Sequence, residues 1–328
     1  MKQTGGETDY IVGVDIGGTN TVIGAVDATG ALLAQRRFAT NAGERAEVFA
    51  DRLASAVNDL MRDLGAPGSM GAMIIASPAA NAREGVVDNP ANLKWGKVDF
   101  VGLMKKSFDV PITMMNDSDA AALGETHFGV ARGLSSVVLL TLGTGLGAGI
   151  VLQGKLVQGS HGAAGEFGHI TLEPAGRWCT CGRQGCVEAY VSATGVRRTV
   201  FELLAQRVEP SPLRAVSFAD LTTDRIAELA NAGDVIAIAA FERTGSVLGR
   251  VIANVVAAFD PDAVVLSGGL VNAGDLLVAP ARRSFERHVL DRYKTKVRIL
   301  VSTMNEGQAA LLGAGCFARD GMRGSGTA

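Results

Sequence analysis

The densest group of reactive side chains lies between residues 166 and 188. There Glu166-Phe167-Gly168-His169 precedes Cys179-Thr180-Cys181-Gly182-Arg183-Gln184-Gly185-Cys186-Val187-Glu188. One imidazole and three thiols are the ligand count of a closed, structural zinc site. The gaps of nine, one and four residues suit a loop wrapped on a metal, with Gly182 and Gly185 permitting tight turns. The competing readings are a redox pair and chance clustering. His127, His161 and His288 are isolated and read as ordinary surface or core residues.

Two glycine-rich segments carry a second kind of chemistry. Asp15-Ile16-Gly17-Gly18-Thr19-Asn20 and Thr141-Leu142-Gly143-Thr144-Gly145 each follow a short apolar run and precede another. Glycine lets backbone approach a phosphate, and loop amides can point at an anion. The Asp15 carboxylate at a strand end would hold a hydrated Mg²⁺. Neither loop is a Walker loop or a Rossmann fingerprint: no Gly-Lys-Ser/Thr follows, and a strand comes next where a helix would be needed. Each alone reads equally as a plain hairpin, but a pair is far more specific and could pinch a polyphosphate. Ser267-Gly268-Gly269 ends a further apolar run, where a nucleotide rests in an open α/β sheet. The expected phosphate and nucleotide contacts are therefore Asp15, Gly17, Gly18, Thr19, Asn20, Thr141, Gly143, Thr144, Gly145, Gly268 and Gly269.

Asn116-Asp117 closes the apolar run from Pro111 to Met115. A carboxylate there can accept a proton from an alcohol while the amide holds neighbouring hydroxyls. Asp117 equally suits a helix N-cap, a task Ser118 or Asp119 could share.

The elements that must position these residues follow from periodicity. Strands at Tyr10–Val14, Thr21–Val26 and Ala31–Phe38 form a meander. An amphipathic helix spans Glu44–Leu64, followed by a strand at Gly71–Ala76 and a Pro/Asn/Gly-rich loop to Trp95. Val101–Phe108 and Ala120–His127 read as helices. The second half reopens with strands at Ser136–Leu140 and Gly147–Leu152, then a short third strand after Gly154-Lys155. Placing Asp15 over Thr141, an offset of 126 residues, aligns Gly17 with Gly143 and strand with strand, so the chain reads as an internal duplication. A long helix over Asp234–Phe259, a buried strand at Ala263–Leu266, a helix at Gly307–Phe317 and a frayed tail over Asp320–Ala328 complete the pattern. The division expected is a small α/β lobe of residues 1–116 plus 306–328 and a large one of residues 117–305.

Composition sets the outer limits. Over 328 residues, 47% are hydrophobic and 20% charged, which excludes disorder as the main state. The 31 basic against 33 acidic residues leave −2, without the footprint of a dedicated nucleic-acid binder. No stretch reaches the roughly 18 apolar residues that span a membrane, and the polar start shows no signal-peptide run. A cytoplasmic, reduced location is expected, with clustered cysteines serving a metal and not disulfides.

On the Asp15–Asn20 loop, Asn116-Asp117, Glu166-x-Gly168-His169 and the Cys179–Glu188 segment, the chain resembles the ROK family of sugar kinases and related repressors, within the actin-like ATPase superfamily. The resemblance runs from Val14 to about Gly315. It implies an α/β, two-lobed actin-like (ribonuclease H-like) fold, with duplicated βββαβα-type lobes and a cleft between them. It further implies ATP with Mg²⁺, a structural Zn²⁺ on His169, Cys179, Cys181 and Cys186, and a homodimer or homotetramer. By resemblance Asp117 is the catalytic base for a hexose 6-hydroxyl, while Asn92, Asn116, Glu166, His169 and Glu188 bind the sugar. Glucose is the expected acceptor, with N-acetylmannosamine or N-acetylglucosamine as alternatives. Ser77-Pro78-Ala79 departs from the family's usual Pro-Gly pair beside the sugar, placing a methyl at that edge. A family repressor would carry a DNA-binding domain before the first strand, where only nine residues stand, so the kinase reading is preferred.

Overall fold

Two short apolar strands rich in Val, Ile and glycine and a third that alternates half-buried with exposed residues open the chain: β1 (Tyr10–Ile16), β2 (Asn20–Val26) and β3 (Leu32–Ala39) pair antiparallel in sequence order. The structure, a computed structural model, describes residues 10–27, 29–65, 70–90, 93–305 and 307–324, with side chains of the last helix as far as Phe317. Backbone contacts divide the chain into two units. One comprises Met1–Gly133, Leu156–Ala164 and Thr303–Ala328; the other comprises Leu134–Lys155 and Gly165–Ser302.

In the first unit α1 (Ala46–Asp63) leads to β4 (Met70–Ser77), which pairs parallel with β1. A small antiparallel sheet of β5 (Ala80–Asn81), β6 (Val86–Asp88) and β7 (Lys97–Asp99) occupies the stretch read from sequence as loop. Strands this short carry too little periodicity to be seen. After α2 (Phe100–Lys105), β8 (Ile112–Asn116) completes a five-stranded sheet ordered β3-β2-β1-β4-β8. Phe49, Leu53, Val57 and Leu60 of α1 are buried with Val12, Val14, Met73, Ile75 and Met114 of the sheet. Trp95 stacks on Phe100 and tilts against Phe49 in the same core. Each such side chain contributes roughly 1.5–3 kcal/mol by leaving water.

Helices α3 (Asp117–His127) and α8 (Gln308–Gly324) also belong to this unit and pack closely on each other. A Cβ on Gly124 would overlap the Ala309 carbonyl, and one on Gly313 the Ala120 carbonyl. Paired glycines thus let the two backbones touch. This contact places α3 with the first unit, where the sequence division at residue 117 puts it with the large lobe. Helix α8 also runs on to Gly324 through the stretch expected to fray, and residues 325–328 lie outside the described ones.

The second unit repeats the sheet. The strands β9 (Val137–Leu142), β10 (Leu146–Leu152), β11 (Lys155–Leu156), β12 (Ala263–Ser267) and β13 (Arg298–Val301) take the order β11-β10-β9-β12-β13. Here β9–β10 is antiparallel and β9–β12–β13 parallel, as in β1–β2 and β1–β4–β8. The duplication read from two glycine loops therefore extends to strand order and direction. Helices α4 (Ala193–Gln206), α5 (Thr223–Asn231), α6 (Val235–Phe259) and α7 (Asp275–His288) complete the unit, α6 packing along α7. Among the described residues no helix is long and apolar enough to cross a membrane.

Candidate functional site

In the first unit the parallel strands β1, β4 and β8 all end at one sheet edge, the edge where open α/β sheets bind ligands. Asp15 pairs with Ala76, and Ser77 with Asn116, so Asp15 and the Asn116-Asp117 pair share that edge. Two strand spacings separate them laterally, about 10 Å. Both carboxylates are half-buried. The loop after β1 closes as Gly17 N donates to Asn20 O at 2.9 Å.

Asn116 is the N-cap of α3: its Oδ1 accepts from Ser118 N at 2.9 Å. Asp117 Oδ1 also accepts from Ser118 N, at 2.7 Å. The capping task that sequence left open thus falls chiefly to Asn116. An amide whose oxygen is held by the helix retains two N–H donors for a ligand. Ala79, the departure noted in the sequence, is exposed and holds φ at 54°, the left-handed region that favours glycine. Its methyl costs roughly 1–2 kcal/mol there. Asn92 lies outside the described residues.

In the second unit the equivalent hairpin is one residue tighter, with Leu142 facing Leu146 and Gly143 N donating to Gly145 O at 3.0 Å. Ser267 pairs with Thr141, and Gly268, at φ 92°, lies so near Leu142 that a Cβ would meet its carbonyl. Thr141, Gly143–Gly145 and Gly268 are thereby gathered at one strand edge. The Thr141 hydroxyl is buried there without a hydrogen-bond partner. A buried hydroxyl left unpaired is a place where a ligand or its water shell can bind.

The metal-type residues assemble in the same unit. Ligand atoms of His169, Cys179, Cys181 and Cys186 all lie within 4.8 Å of one another. Cys179 Sγ is 3.7 Å from His169 Nδ1, and Cys181 Sγ is 3.7 Å from Cys186 Sγ. A tetrahedral zinc site with Zn–S near 2.3 Å has edges of about 3.8 Å, so the donor set fits a zinc ion in number, type and spacing. His169 Nδ1 faces the thiols, and Nε2 sits 4.0 Å from Glu166 Oε2. Burial acts to raise the Cys181 thiol, but hydrogen bonds from Arg183 and the neighbouring thiols outweigh it and bring it to about 6. Burial, reinforced by hydrogen bonds to Cys181 and Cys179, pushes Cys186 up to about 12. Zinc binds cysteine as the thiolate, so metal uptake must displace protons, and acid favours the metal-free cluster.

Glu188 connects this cluster with the hairpin. Its Oε2 accepts from Leu146 N at 3.0 Å, and its Oε1 lies 3.8 Å from Cys179 Sγ. A Cβ on Gly145 would press on the carboxylate and force it to shift. Arg177, which sequence reading passed over, secures the loop from behind. It donates to Ala189 O and Gly195 O, forms a two-pronged pair with Glu202, and lies 4.5 Å from the Tyr190 ring centroid. No local signal marks it, because an Arg in a polar loop looks like any solvated cation.

Comparison with known proteins adds an independent line. The family model described as "ROK family" matches residues 11–320. Glucokinase of Streptomyces coelicolor is 33% identical over 319 residues, 94% of this chain and 97% of that protein. The crystal structure of a ROK family glucokinase from Streptomyces griseus, in complex with glucose and AMPPNP, superposes with a TM-score of 0.80 at 31% identity. It covers 95% of this chain and 99% of that one. A ROK family transcriptional regulator, a homolog of the E. coli MLC protein, superposes with a TM-score of 0.83 at 26% identity, over 97% of this chain and 79% of that one.

Proposed function

The chain belongs to the ROK family, and from that premise we propose that it is an ATP-dependent hexose kinase acting on the sugar 6-hydroxyl, with glucose the preferred acceptor. The observation that carries the reading is the shared strand edge of the first unit, which holds Asp15, the glycine loop and Asn116-Asp117. The likeness to glucokinases supports the same class of acceptor.

Phosphoryl transfer to an alcohol is chiefly positioning and charge stabilisation. Asp117 accepts the proton of the attacking hydroxyl. Asn116 donates through Nδ2 to a neighbouring hydroxyl, its oxygen being held by the helix. In the second unit Glu166, Glu188 and His169 Nε2 are the proposed sugar contacts, and Asn92 is a further one. Asp15 would hold the water shell of a magnesium ion carried by the nucleotide. Amides of Gly17, Gly18, Thr19 and Asn20 are the proposed phosphate donors of the first unit, and those of Gly143, Thr144 and Gly145, with Gly268 and Gly269, the proposed nucleotide contacts of the second. A zinc ion on His169, Cys179, Cys181 and Cys186 would be structural, because these four ligands complete its sphere.

Gly143 offers a clean test of the phosphate assignment. A Cβ there meets no protein atom within 4 Å, whereas one on Gly17 would press on Asn20 O. Gly143→Val is therefore expected to fold normally and to raise the KM for ATP selectively. A rise in the sugar KM with the ATP constant unmoved would remove the hairpin from the phosphate site.

The acceptor is tested by kcat/KM for glucose, mannose, N-acetylmannosamine and N-acetylglucosamine. Glucose is expected to lead, and an N-acetylhexosamine in first place would replace it. The regulator's likeness carries a second reading, a regulatory protein of the same family. Hexose binding with no ATP-dependent phosphorylation of any of the four sugars would establish that reading instead.

A further inference from the structure

We propose that Thr40 is a positioning residue for the first glycine loop, aiming the amides of Gly18 and Asn20 at phosphate; the inference rests on the nucleotide role proposed above. Thr40 follows β3 directly and is fully buried. Its hydroxyl donates to Gly17 O at 2.7 Å, and its backbone N–H donates to Thr19 O at 2.9 Å. A hydroxyl has one hydrogen, and here Gly17 takes it. The 2.8 Å contact between the Thr40 and Thr21 hydroxyls must then have Thr21 as donor. The result is a buried relay from Thr21 through Thr40 to the Gly17 carbonyl.

Peptide geometry gives this relay a direction. In a planar trans peptide the C=O and the following N–H point opposite ways. Fixing the carbonyls of Gly17 and Thr19 toward Thr40 therefore turns the N–H groups of Gly18 and Asn20 away from it. Gly17 N is already committed to Asn20 O. Arg52 of α1 anchors the arrangement from outside, donating to the carbonyls of Ala39 and Thr40 at 2.7 Å each while Glu44 holds its guanidinium.

The second unit supplies an independent parallel. Gly143, the duplicate of Gly17, also has its carbonyl held, here by Ala193 N at 2.8 Å beside the start of α4. The same carbonyl is restrained in both hairpins, by a hydroxyl in one and a backbone amide in the other. A side-chain substitution can remove only the first restraint.

Thr40→Val keeps the shape and the backbone bond but deletes the donor to Gly17. It is expected to raise the KM for ATP about three- to tenfold, the effect of losing one hydrogen bond, with the sugar KM within about twofold. Thr40→Ser should restore the ATP constant. Thr21→Val breaks the relay behind Thr40 but leaves its hydroxyl free to donate to Gly17. It should lower the Tm as Thr40→Val does while moving the ATP KM less than about twofold. An unchanged ATP KM in folded Thr40→Val, or equal rises in both variants, would overturn the proposal. Should Thr40→Val not fold, Thr40→Cys, with its weak donor, is held to the same threshold. Titration with magnesium-ADP separates this inference from the functional reading. If the wild type binds the nucleotide yet phosphorylates no hexose, the kinase reading fails while tighter binding by the wild type than by Thr40→Val still upholds the loop's role. Equal binding by the two overturns it.

Discussion

Asp117→Asn will turn over hexose at least about 10²-fold more slowly than the wild type, with sugar affinity changed far less. The structure makes this substitution unusually specific. Helix α3 is capped by Asn116, so its start does not depend on the Asp117 charge. The bond that Asp117 Oδ1 accepts from Ser118 N is also available to an Asn side-chain oxygen. What Asn cannot do is take up a proton from the attacking alcohol. Steady-state kcat with a sugar titration, on protein of unchanged circular dichroism, checks the expectation. Near-wild-type turnover would remove Asp117 from the chemistry.

Cys181→Ala is expected to lose zinc and, with it, sugar binding, while nucleotide affinity changes much less. Cys181 is the exposed member of the cluster, so its loss opens no cavity in a packed core. Three ligands would remain where structural zinc takes four. His169 is itself one of them, and Glu188 lies two residues beyond Cys186 with its carboxylate beside Cys179. Two proposed sugar ligands thus depend on the order of this loop. The bonds of Arg177 to Ala189 O and Gly195 O do not involve Cys181 and remain available in the variant. Elemental analysis of metal content, beside separate calorimetric titrations with sugar and nucleotide, gives the answer. A zinc-free Cys181→Ala protein with full sugar affinity would make the cluster a remote staple.

The chemistry-bearing residues were legible in the sequence because their signals are local. Cysteine spacing, a glycine loop between apolar runs and an Asn-Asp pair closing a strand each fit within about twenty residues, and the structure gathers them at strand edges or in one cluster. The duplication was legible for a similar reason: equal offsets between two glycine loops carry over to equal strand order. The features that escaped are set by long-range contacts. Thr40 meets Gly17 across 23 positions, and Arg177 meets Glu202 across 25, with nothing near either to announce it. Helix α3 moved to the first unit because Gly124 and Gly313 let it lie against α8, nearly two hundred residues away in sequence. The division of labour at its start, with Asn116 capping beside Asp117, required coordinates because either residue type caps well.

The two-ended carboxylate of Glu188 has a thermodynamic consequence. One oxygen accepts from the amide that closes the second hairpin, and the other lies against a thiol of the metal cluster. A sugar that draws on this carboxylate competes for the lone pairs that hold Leu146 N, and so changes the free energy of the hairpin a nucleotide would meet. Coupling of this kind is reciprocal: the factor by which one ligand alters the affinity of the other is the same in both directions. Substrate synergy in this protein would then reside in a single side chain, given its place by the glycine at position 145.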